Sequence, residues 1–233
     1  MTRDLEQAAT VPASLHMSGF NANATIPYGC TIRTIQQSMQ SFLEFLGYIN
    51  QHLHIKGMMR LESLLMPANF SSIVGEYIIT SIPQFCPTLV KNGWHNGHPD
   101  LLPTGVYPQN AAQHVADGIE IKASRYLKGW QGHNAESCWL MVFVFDSNKP
   151  ADVSKGIAPR PFRFIKVVGA PLEVSDWHFS GRSATSRRTI TATITQTGCS
   201  KMEQNWIYRD PVYQTADDKA PGEEPDETEE DTS

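Results

Sequence analysis

Between Ile32 and His54 apolar residues return every three or four positions, at Ile35, Met39, Phe42, Leu43, Leu46 and Ile49. That spacing gives a helix one buried face. A second helical piece is predicted from about Met58 to Leu65, stopping ahead of Pro67, because the residue before a proline is pushed out of the helical region. Asn69 or Ser71 can cap a third helix carrying Ile73, Val74, Tyr77, Ile78 and Ile82 and ending before Pro83. From Asn92 the pattern changes: NGWHNGHPDLLPTGVYPQN is dense in Gly, Pro and Asn around a short apolar pair. Strand candidates follow at 118–124, 138–145 and 162–170, and TITATIT at 189–195 alternates Thr with Ile or Ala. Helices first and strands later predict an α/β or α+β domain built on a central mixed sheet.

Composition sets the limits of that domain. The chain has 233 residues, 40 % hydrophobic and 18 % charged, enough to bury a substantial core. Residues 1–30 are polar and without period and read as an arm or irregular segment, leaving 31–214 as a single domain. The longest apolar run, CWLMVFVF at 138–145, is too short to cross a bilayer, so no membrane association is expected. MTRDLEQAAT has no apolar stretch of the kind that opens a secretory signal. Cys30, Cys86, Cys138 and Cys199 are scattered, which fits reduced thiols in a cytoplasmic protein.

The formal charge of −5 conceals two regions. Residues 215–233 hold nine acidic side chains and one lysine; the other 15 acidic and 18 basic residues leave residues 1–214 at +3. Lacking aromatic and β-branched core residues, the acidic tail is expected to be disordered. Between Lys122 and Arg209 there are 13 basic and six acidic residues, a balance suited to a polyanionic partner.

Candidate chemistry sits in DGIEIKASR, residues 117–125. Along a strand Ile119 and Ile121 face one way and Glu120 and Lys122 the other. Twenty residues upstream of the glutamate, HPD places Asp100 at the head of Leu101-Leu102. Two carboxylates on adjacent strands are suited to hold a hard divalent cation, and a neighbouring ammonium to orient a water and neutralise charge in phosphodiester hydrolysis. Pro-Asp, a spacer and Glu-x-Lys resemble the PD-(D/E)XK nuclease superfamily, whose type II restriction endonucleases are its best-known members. The resemblance covers about residues 70–170.

That resemblance implies a restriction-endonuclease-like core, a central mixed β-sheet flanked by helices, and Mg²⁺-dependent cleavage of double-stranded DNA to leave 5′-phosphates, with Mn²⁺ able to substitute. It implies metal ligation by Asp100, Glu120 and the Ile121 carbonyl, with Lys122 as the water-orienting residue. Superfamily members often add an acid from the preceding helix; Glu76 is the candidate and Glu62 the runner-up. Cutting a palindromic duplex calls for a homodimer.

Downstream, SRYLKGWQGHNAE offers Arg125, Lys128, Gln131, His133 and Asn134 for phosphate contacts and base reading. Arg182, Arg187 and Arg188 in GRSATSRR are suited to phosphates. His95 and His98 lack the partner pair that a structural zinc site needs. The alternatives are a homing, repair or junction-resolving nuclease of the same superfamily, or a DNA-binding protein without catalysis.

Overall fold

The periodicity from Ile32 forms α2 (Ile32–Ile55), which follows a short helix α1 (Thr2–Ala9) in a computed structural model that describes residues 2–132, 137–179 and 192–213. The Thr31 hydroxyl caps α2 by accepting the Thr34 N–H at 3.1 Å. Of the second helical piece only one turn forms, α3 (Leu61–Leu64). The third helix, α4 (Pro67–Phe85), is longer at both ends than its sequence pattern predicts. Pro67 sits at the first helical position, where its fixed φ is suitable. Pro83 falls in the last turn, where the ladder is ending and one missing N–H costs little.

Six strands form the central sheet, in the order β1 (Leu89–Lys91), β2 (Leu101–Pro103), β3 (Ile119–Ser124), β5 (Cys138–Asp146), β6 (Arg163–Leu172) and β9 (Trp206–Arg209). Only β3 and β5 run parallel, so the sheet is mixed. A second sheet contains β4 (Gln131–Gly132), β8 (Ala192–Ile194) and β7 (Trp177–Phe179), in that order. The short helices α5 (Pro150–Ser154) and α6 (Gln196–Gln204) complete the described elements.

Side-chain alternation divides the core into two layers. Ile119, Ile121, Met141, Phe143 and Phe145 meet Phe42, Phe70, Val74 and Ile78 from α2 and α4. Leu140, Val142 and Val144 point the other way, into a cluster with Trp130, Trp177, Ile194 and the α6 residue Met202. Helices therefore flank both faces of the sheet, α6 sharing its side with the small sheet. Among the described residues no helix is long and apolar enough to cross a membrane.

The N-terminal segment, which its polarity marks as an arm or irregular segment, packs on the body. Phe20 packs on Tyr208 with ring centroids 4.7 Å apart, the Ala13 N–H donates to Phe162 O at 2.8 Å, and Asn21 N–H donates to Ile207 O at 3.0 Å. It binds the body through backbone hydrogen bonds to Phe162, just before β6, and to Ile207 in β9, which leave no period in the sequence. The acidic tail lies outside the described residues.

A buried polar network joins α3 to the end of β5. Arg60, 2 % exposed, donates to Glu62 at 2.6 Å, to Asn148 Oδ1 at 2.9 Å and to Glu6 at 2.9 Å. The fully buried Glu62 also accepts from Asn50 Nδ2 at 2.9 Å. It is thus committed to Arg60 and is not available as a helix-borne acid at the sheet. Glu62→Ala should cost roughly 3–5 kcal/mol, because it strips a buried arginine of its buried counter-charge. Urea unfolding checks this, and a loss below about 1 kcal/mol would contradict the pairing.

Candidate active site

β3 is positioned by what it cannot do otherwise. Ile119 is fully buried and Ile121 5 % exposed against α4, so Glu120 and Lys122 emerge on the opposite face. At the entrance to the strand Gly118 has φ +139°, and a Cβ there would overlap the Leu101 carbonyl oxygen and the Pro99 ring. Only glycine permits β3 to lie this close to the Pro99-Asp100 turn. Leu101, paired with Ile119, joins the same α4-side cluster, which turns Asp100 toward Glu120.

Asn92 secures the turn from beneath. Its buried amide donates to Pro99 O at 3.0 Å and Ala112 O at 2.8 Å, while Oδ1 accepts the Trp94 and Ala112 N–H groups at 3.0 and 3.1 Å. Its own N–H donates to Asp100 O at 2.8 Å.

The two carboxylates are tied crosswise. Ile121 N–H donates to Asp100 Oδ2 at 2.8 Å, and Asp100 N–H donates to Glu120 Oε2 at 3.3 Å. His98 Nδ1 lies 3.1 Å from the same Glu120 oxygen, and Lys122 Nζ is 3.9 Å from Glu120 Oε1. Burial, then the Glu120 charge, push the Asp100 carboxyl up to about 8. Burial works the same way on Glu120, yet the hydrogen bond from His98 and the Lys122 charge hold it below the usual carboxylate range. The pair therefore carries one negative charge too many when both are ionised, and either a proton on Asp100 or an added positive charge relieves it. The Glu120 and Lys122 side chains are 18 % and 23 % exposed, so the cluster is open to a ligand.

Among the described residues no three His, Cys, Asp or Glu side chains form a group that could hold a metal by themselves. Mg²⁺ does not require one: it keeps several waters and takes one or two carboxylates. Asp100 and Glu120 fit such an ion, because a divalent charge between them relieves the repulsion that raises Asp100, and the Ile121 carbonyl is an additional hard donor.

The remaining candidates separate. Glu76 lies on the other side of the sheet, with α4: it is exposed and accepts from Lys91 Nζ at 2.7 Å, and Lys91 shares the strand parity of the buried Leu89. Arg125 turns inward, its guanidinium 5.4 Å from the Phe70 ring and 5.0 Å from that of Phe145, donating to Ser147 O at 2.9 Å. Burial lowers its pKa to about 10. Ser124 Oγ accepts the Tyr126 N–H at 3.0 Å and closes a turn. Trp130 is buried, its indole N–H donating to Tyr126 O at 2.8 Å, while Lys128 and Gln131 are exposed beside it. His133, Asn134, Arg182, Arg187 and Arg188 lie outside the described residues. Their described neighbours adjoin, since Ala192 pairs with both Gly132 and Phe179.

Asn92 went unpredicted, standing in a Gly/Asn-rich run that reads simply as loop, and His98 was considered only as a zinc ligand. No family model, no curated protein and no solved structure matches the chain.

The raised Asp100 carboxyl has a consequence for stability. Its pKa rises from an ordinary 3.8 to about 8, so the unfolded state releases its proton first as pH climbs. The folded state loses stability progressively across that interval, and the deficit is constant above it. In chelator, Asp100→Asn should therefore melt higher than wild type near pH 8, and the difference should vanish below pH 4. The gain should reach at least about 2–4 °C, the shift that ~1 kcal/mol produces in a domain of this size. Thermal unfolding across pH checks it; a lower melting point for Asp100→Asn at pH 8 would contradict the crowding.

Proposed function

We propose that the protein is a Mg²⁺-dependent endonuclease of the type II site-specific class, hydrolysing double-stranded DNA to leave 5′-phosphate ends on a restriction-endonuclease-like core. The observation that carries this reading is the crosswise Asp100–Glu120 carboxylate pair with Lys122 on the same strand face. The ion bound there would supply a water nucleophilic at neutral pH and a positive charge beside the phosphoryl oxygens. Asp100, Glu120 and the Ile121 carbonyl would hold it, and Mn²⁺ would serve in its place. The Lys122 ammonium, 3.9 Å from Glu120 Oε1, would orient the attacking water and stabilise the charge that develops on phosphorus oxygens.

DNA contacts would come from the small sheet. Gly132 and Phe179 both pair with Ala192, and His133, Asn134, Arg182, Arg187 and Arg188, which lie outside the described residues, follow them in the sequence. Cys138 opens the strand that pairs with β3, where Leu140 lies opposite Glu120. Exposed Lys128 and Gln131 belong to the same surface. A homodimer acting in the cytoplasm would suit a symmetric target.

Asp100→Ala, Glu120→Ala and Lys122→Ala should each lower Mg²⁺-dependent nicking of supercoiled plasmid by roughly three orders of magnitude or more, since such groups act as a unit. Circular dichroism confirms that each variant is folded. Binding to duplex without nicking by the wild-type protein would leave a non-catalytic DNA-binding protein as the answer.

A further inference from the structure

His98 has a place at this site that the zinc argument did not consider. Its backbone is fixed on both sides by the segment that follows β2: His98 N–H donates to Gln113 O at 3.0 Å, and Val115 N–H donates to His98 O at 3.0 Å. Its ring stacks on His114, centroids 5.3 Å apart and planes 21° apart. Its side chain is 14 % exposed and belongs to neither apolar cluster. So held, the ring brings Nδ1 to 3.1 Å from Glu120 Oε2. A carboxylate oxygen only accepts, so Nδ1 carries the hydrogen.

Glu120 is a long side chain whose carboxyl plane turns freely unless something stops it. Oε2 receives two donors, the His98 ring and the longer 3.3 Å contact from Asp100 N–H, while Oε1 is on the Lys122 side at 3.9 Å. The two donors come from residues flanking the same proline, so a single rigid turn grips one oxygen and leaves the other to a ligand.

We propose that His98 is a positioning residue: by donating Nδ1–H to Glu120 Oε2 it fixes the orientation in which Glu120 meets a divalent cation. The proposal rests on the reading of Asp100 and Glu120 as a cation site. Hydrogen-bond partners of this kind typically contribute about 10–100-fold to metal affinity.

The test is Mn²⁺ titration, followed by electron paramagnetic resonance and without DNA, of the full chain as wild type, Glu120→Ala, His98→Ala, His98→Phe and His98→Asn. His98→Ala and His98→Phe should weaken Mn²⁺ binding about 10–100-fold. His98→Asn, whose amide nitrogen falls near the position of Nδ1 and still donates, should stay close to wild type. Phenylalanine keeps a ring against His114 and removes the donor, so wild-type affinity in His98→Phe would assign the role to packing and overturn the proposal. Weak binding by His98→Asn, equal to that of His98→Phe, would overturn it as well. Where His98→Ala does not fold, the Phe and Asn variants decide between themselves. If wild type binds Mn²⁺ well and all three His98 variants match it, the cation site stands and His98 has no part in it. If wild type and Glu120→Ala both fail to bind, the cation reading itself falls, and this inference with it.

Discussion

A strand that buries every second residue fixes the direction of the others, and in β3 that constraint governs the site. Ile119 and Ile121 close against α4, leaving Glu120 and Lys122 no direction but the opposite face. Leu101 does the same on β2 and brings Asp100 round to meet them. The apolar layer thus forces two carboxyls into contact at a partly dry position. Uncompensated, such an arrangement is unfavourable. Its signature is an Asp100 carboxyl raised to about 8 while its neighbour remains ionised. Hydrogen bonds from Ile121 N–H, Asp100 N–H and His98 orient the two groups without neutralising them. Local stability given up for geometry in this manner is the usual mark of a binding or catalytic site.

The parity that made Glu120 legible also governs Arg125. Continued from 119, 121 and 123, it assigns Arg125 to the α4 side, where its guanidinium stacks on Phe70 and Phe145. Treating SRYLKGWQGHNAE as loop from its first residue ignored that alternation and placed the arginine on a DNA surface. Glu76 faces away from the Asp100–Glu120 pair for the helical counterpart of the same reason. Val74 and Gly75 are buried against the sheet, so the next residue is turned outward, to Lys91.

Long, strongly periodic elements were readable: α2 begins at the residue its pattern indicates, and β3, β5 and β6 fall within two residues of their predicted limits. What the pattern could not convey were contacts made by single polar side chains across distant turns. Asn92 linking Pro99 to Ala112, Arg60 linking Glu62 to Asn148, and His98 on Glu120 all depend on chain paths that exist only after folding. The short strands β1, β4 and β7 are similarly silent, with two or three residues apiece and no room for a period.

If Asp100 and Glu120 are held together to share a cation, as proposed above, a crystal of the protein grown with Mn²⁺ and measured at the manganese edge will show it. The account predicts an anomalous peak bridging the two carboxylates, about 2.1 Å from an oxygen of each, the distance that small hard divalent ions adopt. A map with no peak there, with the backbone hydrogen bonds to the two carboxylates intact, would contradict it.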